Sequence, residues 1–139
     1  MTVACFPSLP EGETAEVEFL SREGGAVPFR LLVDCGFTGA SSFVLPPSAA
    51  VLAVAPAPDR ETGGALQGRQ TRVVVWCRIP LLAFRRPLIA ILADVSPLKL
   101  PSGVQGLAGL TFLRQFERWG AEHVSNGSWR FFLSGTAVQ

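Results

Sequence analysis

The sequence predicts a mostly β protein with mainly antiparallel strands and one late helix. Fourteen Gly and eleven Pro among 139 residues imply many turns, as a protein built of short strands requires. Several segments alternate polar with apolar residues or cluster β-branched ones, which is typical of strands. Hydrophobic residues make up 48% and charged residues 17%, enough to fill one core. We therefore expect a single domain over residues 1–139.

The first third of the chain predicts three strands. Glu16-Val17-Glu18-Phe19 has the alternation of a half-exposed strand, a more apolar strand follows the Gly24-Gly25 turn, and a tight loop then leads to a short third strand. A Pro-Pro pair begins a brief helical turn after the third strand. The predicted bounds are strands at 13–20, 27–33 and 42–45, a loop at 34–39 and the helical turn at 46–52.

The rest of the chain predicts a second group of strands and the helix. A segment rich in Pro, Gly and Ala has the composition of a hairpin tip, and two β-branched segments follow it. Asn126-Gly127 is the favoured turn of a later hairpin. Apolar residues at helical spacing predict the helix, and Gly120 would end it. The predicted bounds are the tip at 53–68, strands at 71–77 and 88–93, a loop at 95–104, an apolar turn at 106–109, the helix at 110–119 and the hairpin at 123–133.

Composition and charge exclude several classes of protein. Twelve basic and eleven acidic residues give a net charge of +1, which argues against nucleic acid and anionic membranes as partners. A single histidine cannot supply a cluster for a metal site. Three cysteines without a C-x-x-C pair suggest a reducing compartment, and we see neither a signal peptide nor an apolar run of membrane length. The prediction is a cytoplasmic protein without metal or cofactor.

Asp34 is the first candidate for chemistry. It follows Leu31-Leu32-Val33 directly, so a predicted buried strand delivers its carboxylate into a loop. Gly36 allows the chain to turn back and brings backbone N–H groups toward that carboxylate. Hydroxyl side chains stand nearby at positions 38, 41 and 42. On its own, an Asp-x-Gly segment is most often an ordinary turn.

A second motif changes this interpretation. Gly106-Leu107-Ala108-Gly109 comes some 70 residues later and directly precedes the predicted helix. Together with Val33-Asp34-Cys35-Gly36-Phe37-Thr38-Gly39, it resembles the retropepsin-like aspartic proteases, and most closely their bacterial single-domain members. The resemblance covers residues 16–133. It implies a retropepsin-like closed β-barrel half, the acid protease fold, with one C-terminal helix.

The resemblance also implies an activity and a site. The chain would be an aspartic endopeptidase in which Asp34 is catalytic and no metal or organic cofactor takes part. Cys35, Gly36 and Phe37 would shape the floor of the substrate cleft. A glycine-bearing hairpin, the flap, falls at 60–70, where Gly63, Gly64, Ala65 and Leu66 would close over an extended peptide substrate.

Counting the aspartates indicates that one chain holds half of such a site. The chemistry requires two neighbouring carboxylates that share one proton. The chain has only Asp34, Asp59 and Asp94, and the latter two lack the Asp-x-Gly pattern. We therefore expect a homodimer in which the two Asp34 side chains meet on the two-fold axis. The terminal strands at 2–6 and 129–133 are the predicted interface.

Three residues depart from the family pattern and leave an alternative open. Cys35 stands where the family normally has Thr or Ser, whose hydroxyl bonds across the dimer axis, and a thiol is a weaker donor. Phe37 replaces a residue that is commonly small, and Ala108 is smaller than the usual Leu or Ile. The alternative is a catalytically weak or inactive dimerisation or peptide-binding module with the retropepsin fold. A monomeric protein would instead favour a small β-barrel that binds an apolar ligand.

Two groups of side chains outside these motifs have more ordinary interpretations. Arg85-Arg86 is expected to be a solvated face rather than an anion site. Trp76, Trp119 and Trp129 are expected to be core or interface aromatics. Neither group is therefore assigned a function from the sequence.

Overall fold

The computed structural model describes residues 2–57 and 70–136. Within these residues the chain is mostly β, as predicted, and its helical segments are short. The strands are β1 (Val3–Pro7), β2 (Thr14–Leu20), β3 (Ala26–Asp34), β4 (Phe43–Leu45), β5 (Ala55–Pro56), β6 (Thr71–Ile79), β7 (Phe84–Leu92), β8 (Gly106–Gly109), β9 (Arg118–His123) and β10 (Trp129–Ser134). One α-helix, α1, spans Leu110–Leu113, and 3₁₀ turns lie at Pro47–Leu52, Pro80–Leu82 and Ser96–Leu98.

Six strands form a closed β-barrel. Their order is β2-β3-β8-β4-β7-β6, and the barrel closes because the end of β6 pairs with β2 through Phe19 and Cys77. The short strand β5 occupies the same edge of β6 nearer its beginning. The β3–β8 and β4–β7 pairs are parallel and the other pairs are antiparallel. The predicted barrel and the predominance of antiparallel strands are thus confirmed.

The core shows why the strand predictions succeed. In β2, Ala15, Val17 and Phe19 are fully buried while Glu16 is exposed, so the alternation in the sequence matches the two faces of the strand. Aromatic rings fill the barrel: the Phe19 ring lies 5.1 Å from that of Phe43 in an edge-on contact. Phe112 of α1 packs on the same cluster.

Cys77 on β6 belongs to this core. Its side chain is fully buried, and its Sγ donates a hydrogen bond to the carbonyl oxygen of Arg86 at 3.4 Å. Burial disfavours the thiolate and raises the pKa of Cys77 to about 12. Cys5 and Cys35 are exposed, and none of the three cysteines forms a disulfide.

A second, three-stranded sheet joins the two ends of the described chain. Its order is β1-β10-β9, with Val3 opposite Ser134 and Phe6 opposite Phe131. The segments predicted to form a dimer interface thus pair with each other within one chain. Strands β1 and β9 are the two edges of this sheet, and Trp129 of β10 is 53% exposed.

Two of the sequence-based assignments are wrong. The predicted helix at 110–119 ends at Leu113; the chain then turns, and Trp119 and Gly120 belong to β9, opposite Leu133 and Phe132 of β10. Long-range strand pairing thus overrides the local apolar spacing. The predicted apolar turn at 106–109 is instead strand β8, because it is inserted between β3 and β4 and pairs with both.

The predicted bounds of the other elements lie closer to those in the structure. Strand β7 begins at Phe84, four residues earlier than expected, and the 3₁₀ turn at Pro47–Leu52 fits the predicted helical turn. The predicted flap, with Gly63, Gly64, Ala65 and Leu66, lies outside the described residues. In the described part of the chain, no helix combines the length and apolarity that crossing a bilayer requires.

Candidate active site

The two sequence motifs lie side by side in the fold. Asp34 is the last residue of β3 and is paired with Gly109, the last residue of β8. The preceding pair joins Val33 to Ala108. Because the two strands are parallel, both motifs end at the same edge of the barrel. Residues more than 70 positions apart thus form one local structure around the Asp34 carboxylate.

One backbone hydrogen bond holds the Asp34 carboxylate, and a second closes the loop through the Asp34 carbonyl. The backbone N–H of Gly36 donates to Oδ1 of Asp34 at 3.0 Å, and the N–H of Phe37 donates to the carbonyl oxygen of Asp34 at 3.1 Å. Asp34 is half-buried, while Cys35 and Gly36 are exposed. The carboxylate is therefore oriented by backbone yet still reachable from solvent.

Gly109 provides the surface on which this loop rests. A Cβ atom at Gly109 would lie 2.7 Å from the carbonyl oxygen of Phe37 and would also collide with its ring. That same carbonyl accepts a hydrogen bond from the N–H of Leu110 at 2.9 Å. The second motif therefore requires glycine here, because the loop that follows Asp34 presses directly against the backbone of β8.

Three further hydrogen bonds tie the loop to the barrel. The N–H of Gly109 donates to the carbonyl oxygen of Ser42 at 2.9 Å, and the N–H of Ser42 donates to Ile89 at 2.7 Å. The hydroxyl of Thr111 in α1 donates to the carbonyl oxygen of Gly39. This positioning role of Thr111 was not predicted, although a hydroxyl side chain two residues after Gly109 was a usable signal.

The predicted binding residues are only partly brought together. Cys35, Gly36 and Phe37 follow Asp34 in its loop, and Phe37 is half-buried against a small apolar cluster that includes Leu107. The side chains of Ser41 and Ser42 are fully buried, so of the nearby hydroxyl residues only Thr38 is exposed. The flap residues Gly63, Gly64, Ala65 and Leu66 are among those the structure does not describe.

Asp94 is held in a different setting. It follows β7, which ends at Leu92, and the N–H and hydroxyl of Ser96 donate to its carboxylate at 3.0 and 2.9 Å. These hydrogen bonds lower the pKa of Asp94, which is fully exposed. Its carboxylate thus stabilises a local turn, and it provides a useful control for Asp34.

In residues 2–57 and 70–136, no three His, Cys, Asp or Glu side chains are grouped as a metal site would require. The chain matches no protein-family model, no curated protein and no solved structure. The functional interpretation therefore depends on the geometry around Asp34.

Proposed function

We propose that this protein is a homodimeric aspartic endopeptidase of the retropepsin type. The observation that carries the proposal is the Asp34 carboxylate, oriented by the Gly36 N–H at an accessible edge of the barrel. The closed six-stranded barrel and the pairing of the Asp34 and Gly109 motifs support a retropepsin-like fold. Asp34 from each of two copies would form the catalytic pair.

The proposed chemistry follows from two carboxylates that cannot both be ionised at short distance. They share one proton, so one is a base and the other an acid. The ionised carboxylate takes a proton from a water molecule, whose oxygen attacks the peptide carbonyl carbon, while the protonated carboxyl donates to the carbonyl oxygen. Transfer of a proton to the nitrogen then lets the C–N bond break, giving a carboxylic acid and an amine.

The dimer follows from the content of one chain. Of the aspartates in the described residues, Asp34 alone is followed by the x-Gly of an Asp-x-Gly loop. Asp94 is instead held in a turn by Ser96. The exposed Cys35 and Gly36 leave the loop open to approach by a second copy. The edge strands β1 and β9 offer unpaired backbone groups through which the sheets of two copies could join.

The proposed substrate is a peptide or a protein in extended conformation. Cys35, Gly36 and Phe37 would border the cleft, and the segment containing Gly63 to Leu66 would cover the substrate through strand-like hydrogen bonds. The exposed thiols of Cys5 and Cys35 are compatible with a cytoplasmic location, where they would remain reduced.

Subunit mixing tests whether two chains share one site. We expect a ninefold or so excess of the inactive Asp34→Asn chain to lower wild-type peptidase activity to about a tenth, because most wild-type chains would then sit in mixed dimers. Activity is measured after incubation long enough for subunit exchange, and sedimentation velocity checks that dimers persist.

The matched control for mixing is an equal excess of unrelated inert protein, which should leave activity unchanged. Wild-type activity that is unaffected by the Asp34→Asn chain, with subunit exchange demonstrated by differently labelled copies, would contradict a shared site. A monomeric yet active protein would contradict it as well.

One observation favours the second candidate, a weak or inactive peptide-binding module. The Cys35 side chain is exposed and forms no hydrogen bond within the described chain. If two copies met at this loop, a thiol would brace them less well than a hydroxyl. Low catalytic strength would follow from a loosely held pair of carboxylates.

Replacing Cys35 with threonine separates the two candidates. For the protease, we expect Cys35→Thr to raise both dimer affinity and kcat/KM by about threefold to tenfold, as one added hydrogen bond allows. Cys35→Ala, which lacks the hydroxyl, should give no such gain. Absence of hydrolysis by wild type and Cys35→Thr alike from about pH 4 to 7 would favour the module.

A further inference from the structure

A groove in the described chain lies at the opposite end of β3 from Asp34. It has a volume of about 590 Å³ and is bordered by the turn between β2 and β3, by Val54 and by β6 and β7. Strand β3 has nine residues, so at about 3.3 Å per residue its two ends lie roughly 26 Å apart. Asp34 is at one end of β3 and this groove is at the other. The residues that matter below are Leu20, Arg22, Val54, Trp76, Arg78 and Arg85.

Each of the three arginines is held by a contact of its own. The Nε and Nη2 atoms of Arg22 donate to the carbonyl oxygen of Ala53 at 3.0 and 2.7 Å. The Arg85 guanidinium lies over the Trp76 ring, 5.3 Å from its centroid. These contacts limit the freedom of the guanidinium groups, so a ligand would lose less side-chain entropy on binding them.

The third arginine, Arg78, is paired with a carboxylate that does not itself line the groove. Nε of Arg78 donates to Oε1 of Glu18 at 2.7 Å. Arg22 and Arg85 have no carboxylate partner in the part of the chain described, and the exposed Glu23 does not line the groove. The described lining thus has three arginines and no carboxylate; with Glu18 beside Arg78 and Glu23 in the adjoining turn, its net charge is still positive.

We propose that this groove is a binding site for a small organic dianion with a flat apolar body. Guanidinium groups pair well with phosphate and carboxylate oxygens, so a lining with three arginines and no carboxylate suits a doubly charged anionic head. Leu20, Val54 and Trp76 provide apolar surface for the body of the ligand. The volume falls in the range of small-molecule sites. This proposal is independent of the proposed peptidase activity.

Phenyl phosphate is a suitable probe, because it joins a dianionic head to a flat ring. Isothermal titration is expected to show saturable binding with a dissociation constant of about 1 mM or below. Comparing its affinity with that of phthalate, a dicarboxylate, shows whether the groove prefers a phosphate or carboxylate groups. Inorganic phosphate lacks the ring and should bind several-fold more weakly, and phenol lacks the charge and should not bind.

Removing an arginine and removing the neighbouring glutamate should change the affinity for phenyl phosphate in opposite directions. Arg22→Gln and Arg85→Gln should each weaken phenyl phosphate binding about tenfold, since each removes a charged hydrogen-bond donor. Glu18→Gln should strengthen it several-fold, because it removes the negative charge beside Arg78. Arg130→Gln, which removes the exposed arginine paired with Glu122 on the other sheet, is the matched control and should bind as wild type.

The proposal is overturned if no dianion binds saturably, or if Arg22→Gln and Arg85→Gln behave like Arg130→Gln. Weaker rather than stronger binding by Glu18→Gln would also contradict it. Thermal unfolding of each variant verifies that the fold is retained. Asp34→Asn should bind phenyl phosphate unchanged, so failure of this site and failure of the peptidase proposal are distinguishable.

Discussion

Replacing Asp34 with asparagine is expected to lower peptide cleavage at least about a thousandfold, because the amide cannot take a proton from water. Asparagine keeps the shape of the side chain, and its oxygen can still accept the hydrogen bond from the Gly36 N–H. The loop and the dimer should therefore persist. The measurement is kcat/KM on a mixture of peptides, beginning at mildly acidic pH, where a carboxylate pair that shares one proton is active.

The matched control is Asp94→Asn. Asp94 is exposed and held by Ser96 in a turn, away from the chemistry proposed for Asp34. We expect activity within about twofold of wild type, since surface changes of this kind have small effects. Wild-type cleavage by Asp34→Asn would refute the catalytic assignment, as would an equal loss in both variants.

Replacing Gly106 with alanine is expected to lower the free energy of unfolding by about 3 kcal/mol. The new Cβ would lie closer than 3.0 Å to the carbonyl oxygen of Val44, a backbone atom of β4. Strand β8 is hydrogen-bonded between β3 and β4, so it has no free side toward which to move. Urea denaturation followed by circular dichroism measures the change.

Gly120→Ala is the matched glycine control. Gly120 also lies in a strand, but a Cβ there would be 3.6 Å from the nearest atom, in the ring of Phe132, which is ordinary contact. We expect its stability to remain within about 0.5 kcal/mol of wild type. Equal stability of Gly106→Ala and Gly120→Ala would show that β8 is not confined as described.

Gly106→Ala is also expected to disturb the candidate active site. Gly109 ends the same strand and lies under the carbonyl of Phe37, so a displaced β8 would also displace the loop that orients Asp34. We therefore expect any residual Gly106→Ala enzyme to lose activity along with stability. The fold and the candidate site depend on the same four-residue strand.

Local patterns were sufficient for part of this architecture. The alternation in β2 and the turn residues of the terminal hairpin act between neighbouring residues, and the structure confirms the strand and the hairpin. The turn differs in detail: the N–H of Gly127 donates to the carbonyl of Val124, and of Asn126 and Gly127 only Gly127, at +86°, has a positive φ. The position of Asp34 at a strand end was predictable for the same reason.

The contacts around Asp34 were less predictable. The motif pattern pointed to Gly36 and to the 106–109 segment, but it did not indicate that Gly109 lies against Phe37 or that Thr111 bonds Gly39. The arginine groove was missed altogether, since Arg85 was expected to be a solvated face. Arg22 and Arg78 approach it only because β2 and β6 pair to close the barrel.

The amino-acid sequence alone determined the β class, most of the strands, the terminal hairpin and Asp34 as the candidate residue, because these depend on periodicity and turn chemistry within a few residues. Only the tertiary structure decided that Gly106–Gly109 is a strand and that the helix stops at Leu113. The segment Gly-Leu-Ala-Gly has no strand preference of its own. Its conformation comes from hydrogen bonds to β3 and β4, whose residues are remote in the chain.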